Sequence, residues 1–150
     1  TVDPRTSSED LLRQADLANG RRSLFVEVLT LLRPRAKRLG EFVDDARPFL
    51  AAPDSYDPDG AAKHLSAPDI GAHLTALRDT FAALEPFSEG PLEQTLRAVA
   101  EQRGLKAGVL IHATRLAMTG RTVSPGLFEM LRLLGRDQVV ARLDRVIQTR

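Results

Sequence analysis

The chain has 150 residues, 43% of them apolar and 27% charged, with a formal net charge of +1. That is the balance of a globular fold of one domain or two small ones. Cysteine is absent, which excludes disulfides and thiolate metal centres, no apolar run approaches the ~18 residues of a membrane span, and the opening "TVDPRTSSED" lacks the apolar core of a signal peptide, so the expected location is cytoplasmic.

Taken in chain order, the pattern is helical throughout. "SSEDLLRQADLA" starts like a helix, with Ser8 a capping candidate and acids in the first turn. "RRSLFVEVLTLL" continues helically to Leu32, where Pro34 interrupts. "RAKRLGEFVDDARPFL" runs to Leu50 with Leu39, Phe42, Val43 and Ala46 on one side. The stretch from Ala51 to Gly60, "AAPDSYDPDG", has three acids, two prolines and a glycine, and reads as a boundary. Beyond it, "AAKHL" precedes a helix with Leu74, Leu77, Phe81 and Leu84 spaced for burial. "EPFSEGP" breaks that helix, and "LEQTLRAVAEQRG" forms the next.

Three further stripes complete the chain. Leu105, Val109, Leu110, Leu116 and Ala117 form one, closed by Gly120 as a left-handed helix end. Leu127, Phe128, Leu131 and Leu134 form another, stopped by Gly135. Val139, Val140, Leu143, Val146 and Ile147 form the last, with Arg142, Asp144 and Arg145 read as mostly off it. Alternating strand patterns are nearly absent. The expectation is an all-α chain of two compact helical subdomains, residues 1–52 and 53–150.

Charge is uneven. From Pro91 onward ten Lys/Arg face five Asp/Glu, a surplus of five, which leaves the first ninety residues four negative. A basic half beside an acidic half points to an anionic partner for one face. Catalytic patterns do not emerge. His64, His73 and His112 show no His-Glu-x-x-His spacing, so no metal site is expected. No nucleophile elbow, Gly-rich phosphate loop or dinucleotide fingerprint is present, and no catalytic residue is assigned.

The most specific stretch is "MTGRTVSPGLFEMLRLLG", from Met118 to Gly135. It reads as one helix ending, a tight cationic loop, and a second helix starting on Ser-Pro. Ser124 is expected to cap that helix and Pro125 to occupy its first position, where the missing N–H costs nothing. The helix then begins Pro125-Gly126-Leu127, with little side chain to shield its free N–H groups from an anion or a base edge. Arg121 lies just before it and Arg115 one turn before the preceding helix ends, and a guanidinium pairs with either a phosphate or a base. On these residues alone, a capped corner with solvated arginines is the favoured reading. A DNA-reading helix-turn-helix is disfavoured because "PGLFEMLRLLG" is too apolar to read a groove, and a protein-interaction domain without a nucleic-acid role is the other alternative.

From Leu105 to Leu143 the chain closely resembles the end of bacterial glutamyl-tRNA synthetases. The residues that carry the likeness are Arg115, Ala117, Thr119-Gly120, Ser124-Pro125-Gly126-Leu127-Phe128, Leu134-Gly135 and Arg142-Leu143, with Ser124 where some members have Thr. "LRPRAKRLGEF", Leu32 to Phe42, is similar to that family's arginine-rich segment. The resemblance implies an all-helical anticodon-binding region whose class I catalytic domain, with its ATP and magnesium, lies elsewhere, so that this chain needs no cofactor and does not aminoacylate alone. It implies tRNA contacts at Arg115, Ser124, Pro125 and Leu127, with Arg121 added from the loop chemistry. An arginine at Arg35, or Arg33 two residues away, is implied to read the last anticodon base. The implied partner is glutamate tRNA, with glutamine tRNA left open, and the implied state is a monomer. Unpaired bases would be met by helix-start donors, by apolar surface from Pro125 and Leu127, and by arginine planes.

Overall fold

A computed structural model describes residues 23–24, 26–33 and 39–149, with only the backbone of 39–43. The expected Ser8 cap, Arg35, and the side chains of Leu39, Phe42 and Val43 lie outside these described residues. Every regular element among them is helical. Helical residues 26–32 (α1) are followed by α2 (Leu39–Leu50), α3 (Pro58–His64), α4 (Ile70–Ala82), α5 (Glu89–Gln102), α6 (Ala107–Thr119), α7 (Leu127–Leu134) and α8 (Arg136–Gln148).

The last five helices form the core because each repeats apolar residues at three and four. Ile70, Leu74, Leu77 and Phe81 line α4, and Leu92, Leu96, Val99 and Ala100 line α5. Against them stand Leu110, Ala113, Leu116 and Ala117 of α6, Met130 and Leu131 of α7, and Val139, Leu143 and Val146 of α8. Each such side chain removed from water contributes roughly 1.5–3 kcal/mol, opposed by the entropy of ordering the chain. The α4 helix lies along α8, α5 lies along α7, and α3 sits on α6. Phe49 at the end of α2 and Tyr56 after it pack onto the same core. Two residues depart from the expected stripes, one read as on its stripe and one read as off it. Val109 is 39% exposed, because it sits in the first turn of α6, away from the neighbours that cover Leu110. Arg142 is only 4% exposed. It lies three residues after Val139 and four before Val146, on the buried face despite its charge.

The stretch read as pure boundary contains a helix start. Asp57 caps α3 by accepting the Gly60 amide on its carboxylate at 2.7 Å, and Pro58 fills the first helical position. Arginines tie the helix ends together on the surface. Arg78 of α4 bonds Asp144 of α8. Arg132 of α7 reaches Glu89 at 3.0 Å and Glu27 at 3.4 Å. Arg136 donates to the Leu84 carbonyl and lies 5.6 Å from the Phe87 ring centre. Such exposed pairs orient more than they stabilise.

The α3–α6 contact carries a histidine pair, and it is expected to weaken in acid. The His64 and His112 rings stack with centroids 4.6 Å apart. Burial, the neighbouring His112 and Lys63, in that order, hold the His64 pKa below its usual 6.5. The folded chain therefore takes up that proton less readily than the unfolded one, so this contribution is complete above pH 6.5 and fades as pH falls below it. The melting temperature is expected to drop between about pH 7.5 and about pH 5.5, and His64→Gln to flatten that slope. Parallel slopes for the two proteins would contradict the assignment.

Candidate nucleic-acid interface

The site begins where α6 stops. Gly120 takes φ 72°, ψ 3° and returns its amide to the Leu116 carbonyl at 2.7 Å, as a left-handed helix end does. Thr119 then folds back, its Oγ1 accepting the Arg121 amide at 3.0 Å and donating to the Arg115 carbonyl at 2.9 Å. The Gly120 carbonyl accepts the Asp57 amide at 2.7 Å, so the loop is fastened to the segment before α3. Two glycines permit this approach. A Cβ on Gly120 would stand 2.3 Å from the Ser55 carbonyl oxygen, and one on Gly60 would stand 2.5 Å from Thr122 Cγ2.

Between this loop and the end of α2 lies a cleft of about 420 Å³, walled by Arg47, Pro48, Pro53, Tyr56, Gly120 and Arg121. The Arg121 guanidinium, half exposed, spans it to the Asp44 carbonyl at 3.3 Å and Asp45 Oδ1 at 3.4 Å. The Tyr56 hydroxyl is buried with no hydrogen-bond partner among the described residues. Asp44, Asp54 and Asp57 also line the space. Guanidinium donors and carboxylate acceptors therefore share one cavity.

Arg115 and Ser124 come together: Arg115 Nε donates to Ser124 Oγ at 3.0 Å. This corrects the expected cap. The helix α7 starts at Leu127 with Gly126 as its N-cap and no side-chain capping bond. The Ser124 hydroxyl instead receives the charged donor and donates to the Pro125 carbonyl at 2.9 Å. A guanidinium from the neighbouring helix competes well for that oxygen because charge-assisted bonds are the stronger kind. Pro125 accordingly lies outside the helix and is buried.

Leu127 departs from expectation too. It is 4% exposed and belongs to the core, so neither it nor Pro125 offers a free apolar surface to a base. Phe128, expected to face the core, is partly buried against it. The α7 start is also less open to anions than its sequence implies. The Glu129 carboxylate lies 3.0–3.4 Å from where a Gly126 Cβ would be, setting an acceptor beside the exposed Gly126. Arg33 is exposed in the turn after α1 and does not line the cleft.

Arg47, Asp45, Tyr56 and Arg142 were not legible as site residues. Arg142 is the exception in having had a signal, its place on the α8 stripe. Its Nη1 donates to the Met118 carbonyl at 2.8 Å, and burial lowers its pKa. Among the described residues no group of three or more His, Cys, Asp or Glu could hold a metal ion, and no helix is long and apolar enough to cross a membrane.

Comparison with known proteins places this geometry in context. Residues 7–147 match the family described as anticodon binding domain. The glutamate–tRNA ligase of Moorella thermoacetica is 42% identical over 118 residues, which are 79% of this chain and 24% of that protein. The glutamate–tRNA ligase of a Bradyrhizobium species is 41% identical over 130 residues, 87% of this chain and 27% of that protein. The chain thus spans about a quarter of the curated relatives it matches. A crystal structure of a glutamate tRNA ligase from Elizabethkingia meningosepticum superimposes with a TM-score of 0.78 at 21% identity, covering 85% of this chain and 25% of that one. At that identity the likeness shows the fold.

Gly120→Ala tests whether the loop depends on this close approach. The left-handed backbone and the Ser55 clash together are expected to cost about 2 kcal/mol or more, read by urea denaturation. A loss below about 0.5 kcal/mol would mean that the loop accommodates a Cβ by moving away from Ser55.

Proposed function

The chain belongs to the anticodon-binding domain family, and on that premise we propose that it reads unpaired anticodon bases of glutamate tRNA at the loop from Gly120 to Gly126, with Arg115 of α6 beside it, and at the adjoining cleft. The observation that carries the reading is the meeting of guanidinium donors with carboxylate acceptors around one open space. Arg47 and Arg121 line that space with Asp44, Asp54 and Asp57, Arg121 is held on Asp45, and Arg115, held on Ser124, stands outside the cleft lining beside the loop.

A phosphate asks for donors alone and is repelled by carboxylates, whereas the edge of a base presents donors and acceptors together. A splayed, single-stranded base exposes that whole edge. The arrangement therefore suits bases better than backbone. Phosphate attraction comes from the wider surplus of positive charge after Pro91. Pro48, Pro53 and Tyr56 give the cleft walls their apolar surface, the role the sequence had offered to Pro125 and Leu127. Those two residues support the site from beneath, with their backbone next to Ser124 and Gly126.

The rest of the reading follows from this assignment. Arg33 or Arg35 of the first subdomain, residues 1–52, reads the last base, while residues 53–150 supply the loop. Ligation of glutamate, with its ATP and magnesium, belongs to a catalytic domain outside this chain, and this chain acts in the cytoplasm as a monomer that needs no cofactor. Whether glutamine tRNA is also accepted turns on the first-subdomain arginine.

The test is a titration of the chain with glutamate tRNA and with an anticodon-swapped version at two salt concentrations. The cognate anticodon is expected to bind at least about tenfold more tightly, and affinity for both to fall with salt. Arg115→Ala should lose about 1–3 kcal/mol of that discrimination without lowering the melting temperature by more than a few degrees. Equal binding of the two tRNAs would overturn the reading, and collapse of the fold in Arg115→Ala would make Arg115 structural.

A further inference from the structure

We propose that Arg142 is a positioning residue: by holding the carbonyl end of α6 it fixes the Gly120–Arg121 turn in the orientation from which the site works. This rests on the functional reading above for its purpose, though its geometry stands apart from it. Arg142 sits at the middle of α8, far from the cleft in sequence, and is 4% exposed. Its hydrogen bond is to the Met118 carbonyl, 2.8 Å from Nη1, and its Nε is buried without a partner. No carboxylate pairs with it among the described residues.

A helix leaves its last four carbonyls without internal partners. In α6 these belong to residues 116–119, and Leu116 is satisfied by the Gly120 amide. Met118 is itself fully buried, and its carbonyl is taken by Arg142. The next residues are the site. Thr119 anchors the Arg121 amide, the Gly120 carbonyl anchors Asp57, and Arg121 spans the cleft to Asp45. The guanidinium also lies at the negative end of the α6 dipole, where a cation is favoured.

Stability alone does not account for such a residue. A buried charge without a carboxylate carries a desolvation cost, and replacing it with an apolar side chain of similar volume is often neutral or stabilising. What an apolar side chain does not supply is a directed donor for one carbonyl. Loop order and global stability should therefore separate on substitution.

The experiment is backbone amide hydrogen exchange on the full chain, unliganded, for wild type, Arg142→Met and Arg142→Lys. In Arg142→Met the amides of Gly120, Arg121 and Asp57 are expected to exchange about tenfold faster. Core amides of α4 and α5 should keep their rates, and the melting temperature should not fall. Arg142→Lys, which retains a donor on a long stem, should restore loop protection. Unchanged loop amides in Arg142→Met would overturn the proposal, as would uniform acceleration through α4 and α5, which would make Arg142 a general stabiliser. If Arg142→Met does not fold, Arg142→Gln replaces it, its amide falling short of Met118, with the same two overturning results. A parallel titration with glutamate tRNA separates this claim from the functional one. If wild type shows no anticodon preference, the functional reading fails while the exchange result still decides the positioning role. If wild type discriminates and Arg142→Met loses about tenfold in the same preference, both hold.

Discussion

The hydrogen bond from the Asp57 amide to the Gly120 carbonyl, 2.7 Å long, is the join on which the site depends. It requires a left-handed residue at position 120 and leaves no room for a Cβ there, since one would meet the Ser55 oxygen. Asp57 makes this bond with its amide while its carboxylate caps α3, so one residue fastens the loop and starts a helix. The cleft is the space left between that join and the end of α2. Without it, the backbone of the turn that carries Arg121 would be held only from its own side, by Thr119 and the Gly120 amide.

The electrostatics of the join select among anionic partners. On the proposed reading, the net positive charge after Pro91 attracts the nucleic acid towards this half of the chain. At short range the picture changes, because Arg121 is already paired with Asp45 and Glu129 stands over the start of α7. A site of this kind exchanges partners rather than filling a positive hole. On the proposed reading, a base edge competes with Asp45 for Arg121 and offers its own donors to the carboxylates of Asp44, Asp54 and Asp57 that line the cleft. Each contact made is set against one given up, which favours discrimination between bases over raw affinity.

The architecture was readable from the sequence because burial in helices has a period. The stripes from Leu74 to Phe81 and from Val139 to Val146 became the buried faces of α4 and α8, and Gly120 ended α6 in the left-handed conformation expected of it. What misled was local chemistry whose partners come from elsewhere in the chain. Ser124-Pro125 is a strong helix start when only its neighbours are counted, but Arg115 from another helix takes the hydroxyl and the helix begins at Leu127. Asp57-Pro58 was passed over as boundary because prolines and acids usually mark one. Arg142 was read as mostly off the α8 stripe, although its spacing from Val139 and Val146 puts it on the buried face. The cleft was out of reach of sequence, since Arg47, Tyr56 and Arg121 meet through tertiary contact alone.

The central claim is that the loop and cleft together, and not the wider basic surface, receive the anticodon. Mapping backbone amide chemical shifts while the glutamate tRNA anticodon stem-loop is added tests it most directly. The account predicts the largest changes at residues 115–126 and 44–57, with the outer faces of α4 and α5 unmoved. Shifts concentrated on those outer faces, with the Gly120 loop and the cleft silent, would contradict it.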